Sequence, residues 1–319
     1  MSSGKNKQLS RYDNVVHWKE EETMQKITFH LWFDKEAKEA AEFYVSVFGK
    51  GSKIKHISKL EGTPSGSVDI VTFDLLGREF QAISAGPLFK FNPSISFQVI
   101  CKTKDEVDAI WEKLAEGGMA LMELGAYPFS ERYGWLQDKY GLSWQIIYSD
   151  RAVEELKLTP ALMFVGKAYG RGEEAVNFWA SVFHESKVDA IQLSGKDEGP
   201  NDEGALKYAT FSLFGQEFSA MDSGYEHNFF FNEAISFMVY CDTQEEIDYY
   251  WEKLSAVPEA EQCGWLKDKF GVSWQIVPTV LDEMMSKGSK DQVVRVTEAF
   301  LKMKKFDIAG LEWAYKGTV

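Results

Sequence analysis

FNPSISFQVICKTKDEVDAIWEKL, residues 91–114, returns as FNEAISFMVYCDTQEEIDYYWEKL, residues 231–254, with 14 of 24 positions identical and no gap. Downstream, GWLQDKYGLSWQII (134–147) returns as GWLKDKFGVSWQIV (264–277), with 10 of 14 identical. A period near 130 residues is too long for a solenoid repeat and matches the size of a whole domain, so the chain reads as a tandem duplication. The 319 residues, 45% hydrophobic, supply two cores of ordinary size.

Working outward from the quoted stretch, each copy has the same order of elements. KITFHLWF (26–33) reads as a strand. KEAKEAAEFYVSVF (35–48) places Ala37, Ala40, Ala41, Tyr44, Val45 and Phe48 at helical spacing, and Gly49 ends it. Extended runs follow at 53–59, 68–76 and 79–84, the last two joined tightly at Leu76-Gly77-Arg78. The order then restarts with a strand at 94–101 and a helix capped by Thr103 with Glu106 three residues on. Short extended pieces are expected near 120–124, 134–137 and 143–148. Each copy is therefore two βαβββ modules, an α+β class in which the two modules of one copy are expected side by side as a single curved mixed sheet, a cup of about eight strands with one helix-covered and one open face.

A formal charge of −14 and a pI near 5.0 disfavour a surface that coats phosphates, so no nucleic-acid partner is expected. No apolar run is long enough to cross a bilayer, and the polar start lacks the apolar stretch of a signal peptide, so the expectation is a cytoplasmic protein with no membrane partner. Cys101 and Cys241 hold equivalent places at strand ends and read as small buried residues. Cys263 has no counterpart, and no zinc-like Cys/His spacing exists.

The phrases ITFHLWFDKEAKEAAEFYVSVFG and TPALMFVGKAYGRGEEAVNFWASVF, the hairpins FDLLGREFQAISAG and FSLFGQEFSAMDSG, the SISF and AISF strands and the two GWLxDKxGxSWQI runs resemble the vicinal oxygen chelate superfamily of glyoxalases, extradiol dioxygenases and antibiotic-resistance proteins. Within it the chain is similar to the PhnB-like branch, often labelled 3-demethylubiquinone methyltransferase-like. The resemblance spans residues 25–150 and 158–280 and continues into VVRVTEAFLKMKKFDIAGLEWAYKG. It implies a fold more than a reaction, since the superfamily runs unrelated chemistries on one cup.

The resemblance also implies where a divalent metal would sit, and the residues there oppose one. The first-strand ligand place falls on Thr28 and Thr159, the fifth-strand place on Ser94 and Ala234, and the last-strand place on Gln145 and Gln275. Hydroxyls, a methyl and neutral amides do not hold zinc, iron or manganese in water, so no metal and no cofactor is expected. His30 shares a strand face with Thr28 and is the only reservation. The methyltransferase label reads as an inherited name, because no GxGxG follows a strand and no doubly wound sheet is expected.

By strand alternation the ligand positions are Thr28, His30, Trp32, Gln81, Ser94, Ser96, Gln98 and Gln145 in copy one. The run LMELGAYPFSERY, read as a loop over the cup, adds Tyr127 and Phe129. Copy two is more apolar at these places. Trp135, Trp144, Trp265 and Trp274, repeated in both copies, read as packing residues. The expected function is metal-free binding of a small molecule in the cup of domain one. The alternative is an enzyme of glyoxalase or dioxygenase type that recruits a divalent metal through His30. The division is an N-terminal extension (1–24), domain one (25–150), a linker (151–158), domain two (159–280) and a C-terminal helical tail (281–319) broken at Gly288 and near Asp307. The two domains are expected to pair within the chain as a pseudo-dimer, compatible with a further homodimer.

Overall fold

The computed structural model of the protein describes residues 25–63, 65–150 and 155–317. The N-terminal extension with His17 and the first four linker residues lie outside the described residues.

Copy one runs β1 (Ile27–Phe33), α1 (Ala37–Phe48), β2 (Lys53–Thr63), β3 (Gly66–Leu75), β4 (Arg78–Ser84), β5 (Ile95–Cys101), α2 (Lys104–Ala115), β6 (Met119–Tyr127), β7 (Ser130–Gln137) and β8 (Ser143–Tyr148). Copy two runs β9 (Lys157–Phe164), α3 (Gly172–Val182), β10 (Lys187–Leu193), β11 (Leu206–Leu213), β12 (Gln216–Asp222), β13 (Ile235–Cys241), α4 (Gln244–Leu254), β14 (Trp265–Lys267) and β15 (Ser273–Pro278). The tail adds α5 (Thr279–Lys287), α6 (Lys290–Phe300) and α7 (Ile308–Lys316), with breaks where the sequence placed them.

Local chemistry explains these elements. Thr103 and Glu106 close a reciprocal capping box at the start of α2, and Thr243 caps α4 the same way from its side chain; such a cap is worth about 1 kcal/mol. The β3–β4 turn has Leu76 at φ 50 and Gly77 at φ 75, and the β11–β12 turn repeats this with Phe214 and Gly215. Two successive left-handed residues match the twist of the strands they join.

The sheets are not assembled copy by copy. One has the order β14-β15-β13-β1-β4-β3-β2 and the other β10-β11-β12-β9-β5-β8-β7-β6. The seam of the first sheet is β1 against β13, antiparallel, with His30 opposite Ser236. The seam of the second is β5 against β9, with Gln98 opposite Thr159. Each curved sheet therefore takes one module from each copy, and the two copies pair inside one chain.

The backs of the sheets share one core. Helices α1 and α4 lie on the first sheet, α2 and α3 on the second. Trp144 of β8 reaches across to Tyr44 and Phe48 of α1, with ring centroids 5.2 and 5.3 Å away. At the centre Phe29 meets Phe80, Phe97, Phe218 and Phe237 at 5.1, 5.5, 6.1 and 6.0 Å, so that rings from all four modules converge.

Besides the expected cup within each copy, which the interleaved sheets replace, two sequence expectations need correction. LMELGAYPFSERY is no loop but most of the β6–β7 hairpin; three register shifts along the pair and Gly125 hide the strand period. In copy two the last module has two strands after its helix rather than three. The tail occupies that edge: Cys263 and Gly264 donate their N–H groups to the Met303 and Lys304 carbonyls at 2.9 and 2.7 Å. Among the described residues no helix is long and apolar enough to cross a membrane.

Candidate functional site

Alternation along β1 turns Phe29 to the core and Thr28, His30 and Trp32 to the concave face of the first sheet. In-register partners extend that face through Gln81 on β4, Met238 on β13 and Gln275 on β15. The tail lines one side of it with Leu281, Val293, Phe300 and Phe306, leaving an open cavity of about 1230 Å³.

His30 is the distinctive group of this cavity. It is 4% exposed, and its Nδ1 has no hydrogen-bond partner. Burial pushes its pKa down to about 3, so the ring is neutral at ordinary pH. The ring centroid of Trp265 lies 5.3 Å from that of the imidazole and 6.3 Å from that of Trp32, both pairs edge to face. Trp32 is fixed by its indole N–H donating to the Gly86 carbonyl at 2.8 Å. These groups make an aromatic slot with one polar contact at its inner end.

Thr28, Glu79 and Gln275 are committed to protein partners. Thr28 donates to Glu79 at 2.8 Å, and Lys55 holds the other Glu79 oxygen at 2.5 Å. The Gln275 amide donates to Ser236 at 2.9 Å. Asp282, which lies against Tyr240 yet keeps an exposed outer edge, is pushed up to about 6, by desolvation first and by Glu79 last. Among the described residues no group of three or more His, Cys, Asp or Glu side chains converges as a metal site. His30 stands without an acidic or second imidazole partner, so these residues do not fit a divalent cation. No doubly wound parallel sheet occurs among the described residues either.

The interleaved sheets split the positions read from copy one. Thr28, His30, Trp32 and Gln81 face the first cup, while Ser96, Gln98 and Gln145 face the second. In the second cup the Gln98 amide donates to Gln145 at 3.1 Å, Tyr133 donates to the same Gln145 oxygen at 3.0 Å, and Gln145 donates to Ser96 at 2.6 Å. Ser94 lies just before β5, its hydroxyl donating to the Phe230 carbonyl at 3.3 Å. Tyr127 and Phe129 stack at 5.7 Å on the β6–β7 hairpin and pack against Tyr133 at 5.5 and 4.9 Å.

Sequence reasoning missed Asp138 and Asp268. Each is buried and accepts from the indole of the following repeat tryptophan, Trp144 at 2.8 Å and Trp274 at 3.0 Å, and from two backbone N–H groups. Trp179 adds a second indole bond to Asp268 at 2.9 Å. Burial raises both carboxyls while these donors pull them back. Trp144 and Trp274 are thus packing residues, whereas Trp265 faces the cavity.

A family model described as 3-demethylubiquinone-9 3-methyltransferase matches residues 25–147 and again residues 156–277. No curated protein matches the chain. Among solved structures, the PhnB protein from Bacillus cereus is 42% identical over 39% of this chain and 100% of its own, with a TM-score of 0.37. Glyoxalase I from Zea mays is 11% identical over 81% of this chain and 96% of its own, with a TM-score of 0.51, a likeness of fold.

Proposed function

The chain belongs to the 3-demethylubiquinone-9 3-methyltransferase family, PhnB-like proteins of glyoxalase fold, and from that premise we propose that it is a metal-free binding protein for a neutral, largely apolar organic molecule. The ligand would lie between the first sheet and the C-terminal helices, flanked by Trp32 and Trp265. The observation that carries this reading is the unpartnered Nδ1 of His30, buried on the wall of a 1230 Å³ cavity. A buried polar atom without a partner costs about 1–3 kcal/mol, which a ligand hydroxyl or carbonyl would recover. Ile83, Met238 and Val277 supply apolar wall around it. The cytoplasm is the proposed compartment; the acidic charge of −14 and three free cysteines support it.

The test is a tryptophan-fluorescence titration with neutral aromatic alcohols and ketones. Saturable quenching is expected, weakened about 5- to 10-fold in His30→Ala, the value of one hydrogen bond. An unchanged Kd in that variant, or micromolar binding of S-adenosylmethionine, would overturn the reading. Turnover that needs an added divalent ion and vanishes in His30→Ala would replace it with the enzymatic one.

A further inference from the structure

We propose that the open cup of the second sheet is a second, independent ligand site, for a neutral polyhydroxylated molecule of the sugar or polyol class. The duplication places the same elements around both cups, but the side chains at matched positions differ in kind. Where the first cup has Met238 at the seam, the second has Gln98; where the first has Ile70, the second has Tyr208; where the first has His30, the second has Ala161. At the first two places apolar wall has been exchanged for amide and hydroxyl, and at the third the imidazole is gone.

The second cup is a built site of about 760 Å³. Tyr208 and Ser219 both donate to the Gln98 side-chain oxygen, at 3.2 and 3.1 Å, and the Gln98 amide continues to Gln145. These bonds fix the two amides and orient them before any ligand arrives. Thr159, in register with Gln98 across the seam, is 5% exposed, lines the cup, and has a hydroxyl without a hydrogen-bond partner. Its counterpart Thr28 donates to Glu79. In the second cup the matching acid, Glu217, is instead paired with Lys157, which leaves the Thr159 hydroxyl for something else.

Charge selects against anions, since Glu185 also lines the cup beside two ion pairs. The cations at the rim, Lys157 and Lys187, are paired with Glu217 and Asp189. The interior is lined by Thr159, Thr210, Ser212 and Gln98. Neutral donors and acceptors spaced along a curved sheet suit a ligand that carries several hydroxyls and no net charge.

Side-chain amide NMR of the full chain, titrated with glucose, ribose and inositol, tests this. At least one of the three should shift the Gln98 and Gln145 amide signals saturably. Thr159→Val, which keeps shape and loses the hydroxyl, should weaken that binding about fivefold. His30→Gln should leave it unchanged. The proposal fails if none of the three gives a saturable shift, if Thr159→Val binds as tightly as the parent, or if His30→Gln abolishes the response. Because the probes and variants differ from those of the apolar cavity, failure here leaves that reading standing, and the reverse also holds.

Discussion

His30 couples the first cavity to pH. Its pKa falls from the ordinary 6.5 to about 3 because the folded chain buries the ring neutral. The unfolded chain binds the proton more readily, so this residue's stabilising contribution is complete above pH 6.5 and lost progressively as pH falls towards 3. Between pH 7.5 and 5.0 the native protein should lose about 2 kcal/mol relative to His30→Gln, read as diverging urea midpoints; parallel curves would show the ring is not buried neutral. Alternation made this residue legible from ITFHLWF alone, together with Thr28 and Trp32 on its face. Asp138 and Asp268 were written twice in GWLxDKxGxSWQ yet went unread. Their task is to collect indole and backbone donors folded back from later residues, and nothing in a linear pattern distinguishes that from an exposed turn acid.

Among elements, the tail and strand β6 of the β6–β7 hairpin are counterparts that the chain built from unrelated sequence. One ends the second sheet in a bulged strand pair; the other ends the first through the Met303 and Lys304 carbonyls. Gly264 allows the second arrangement: its φ is +82, and a Cβ there would lie 2.4 Å from the Phe306 ring. Gly264→Ala is expected to cost about 2–4 kcal/mol, from backbone strain plus displacement of Phe306, and to expose Trp265 to quenching by acrylamide. Gly77→Ala has the same strain at φ +75 but nothing within 4 Å of the added carbon, so about 1 kcal/mol and no change in quenching is expected. The helical periodicity of the tail, with Val293 and Phe300 on one face, was legible in VVRVTEAFLKMKKF itself. The hairpin was not, because its bulges break the period on which strand reading depends.

For the whole molecule, the duplication announced four modules and their pairing within the chain, but it placed each cup within one copy. The strands β1, β5, β9 and β13 carry the same alternation, which is satisfied whether a module pairs with its own copy or the other one. The structure selects exchange, through β1 with β13 and β5 with β9. A fragment comprising residues 25–150 would present β1 and β5 as open edges that match one another as these pairs do. It is expected to form a stable dimer by light scattering, while the full chain stays near 36.3 kDa. A monomeric fragment would mean that a single copy can close on itself.

Phe29 sits where rings from all four modules converge. No part of the chain can come loose there without taking contacts from the other three, so thermal denaturation should register as one calorimetric peak whose van't Hoff and measured enthalpies coincide. Duplication commonly yields beads that melt separately; a core shared by all four modules should make these melt together.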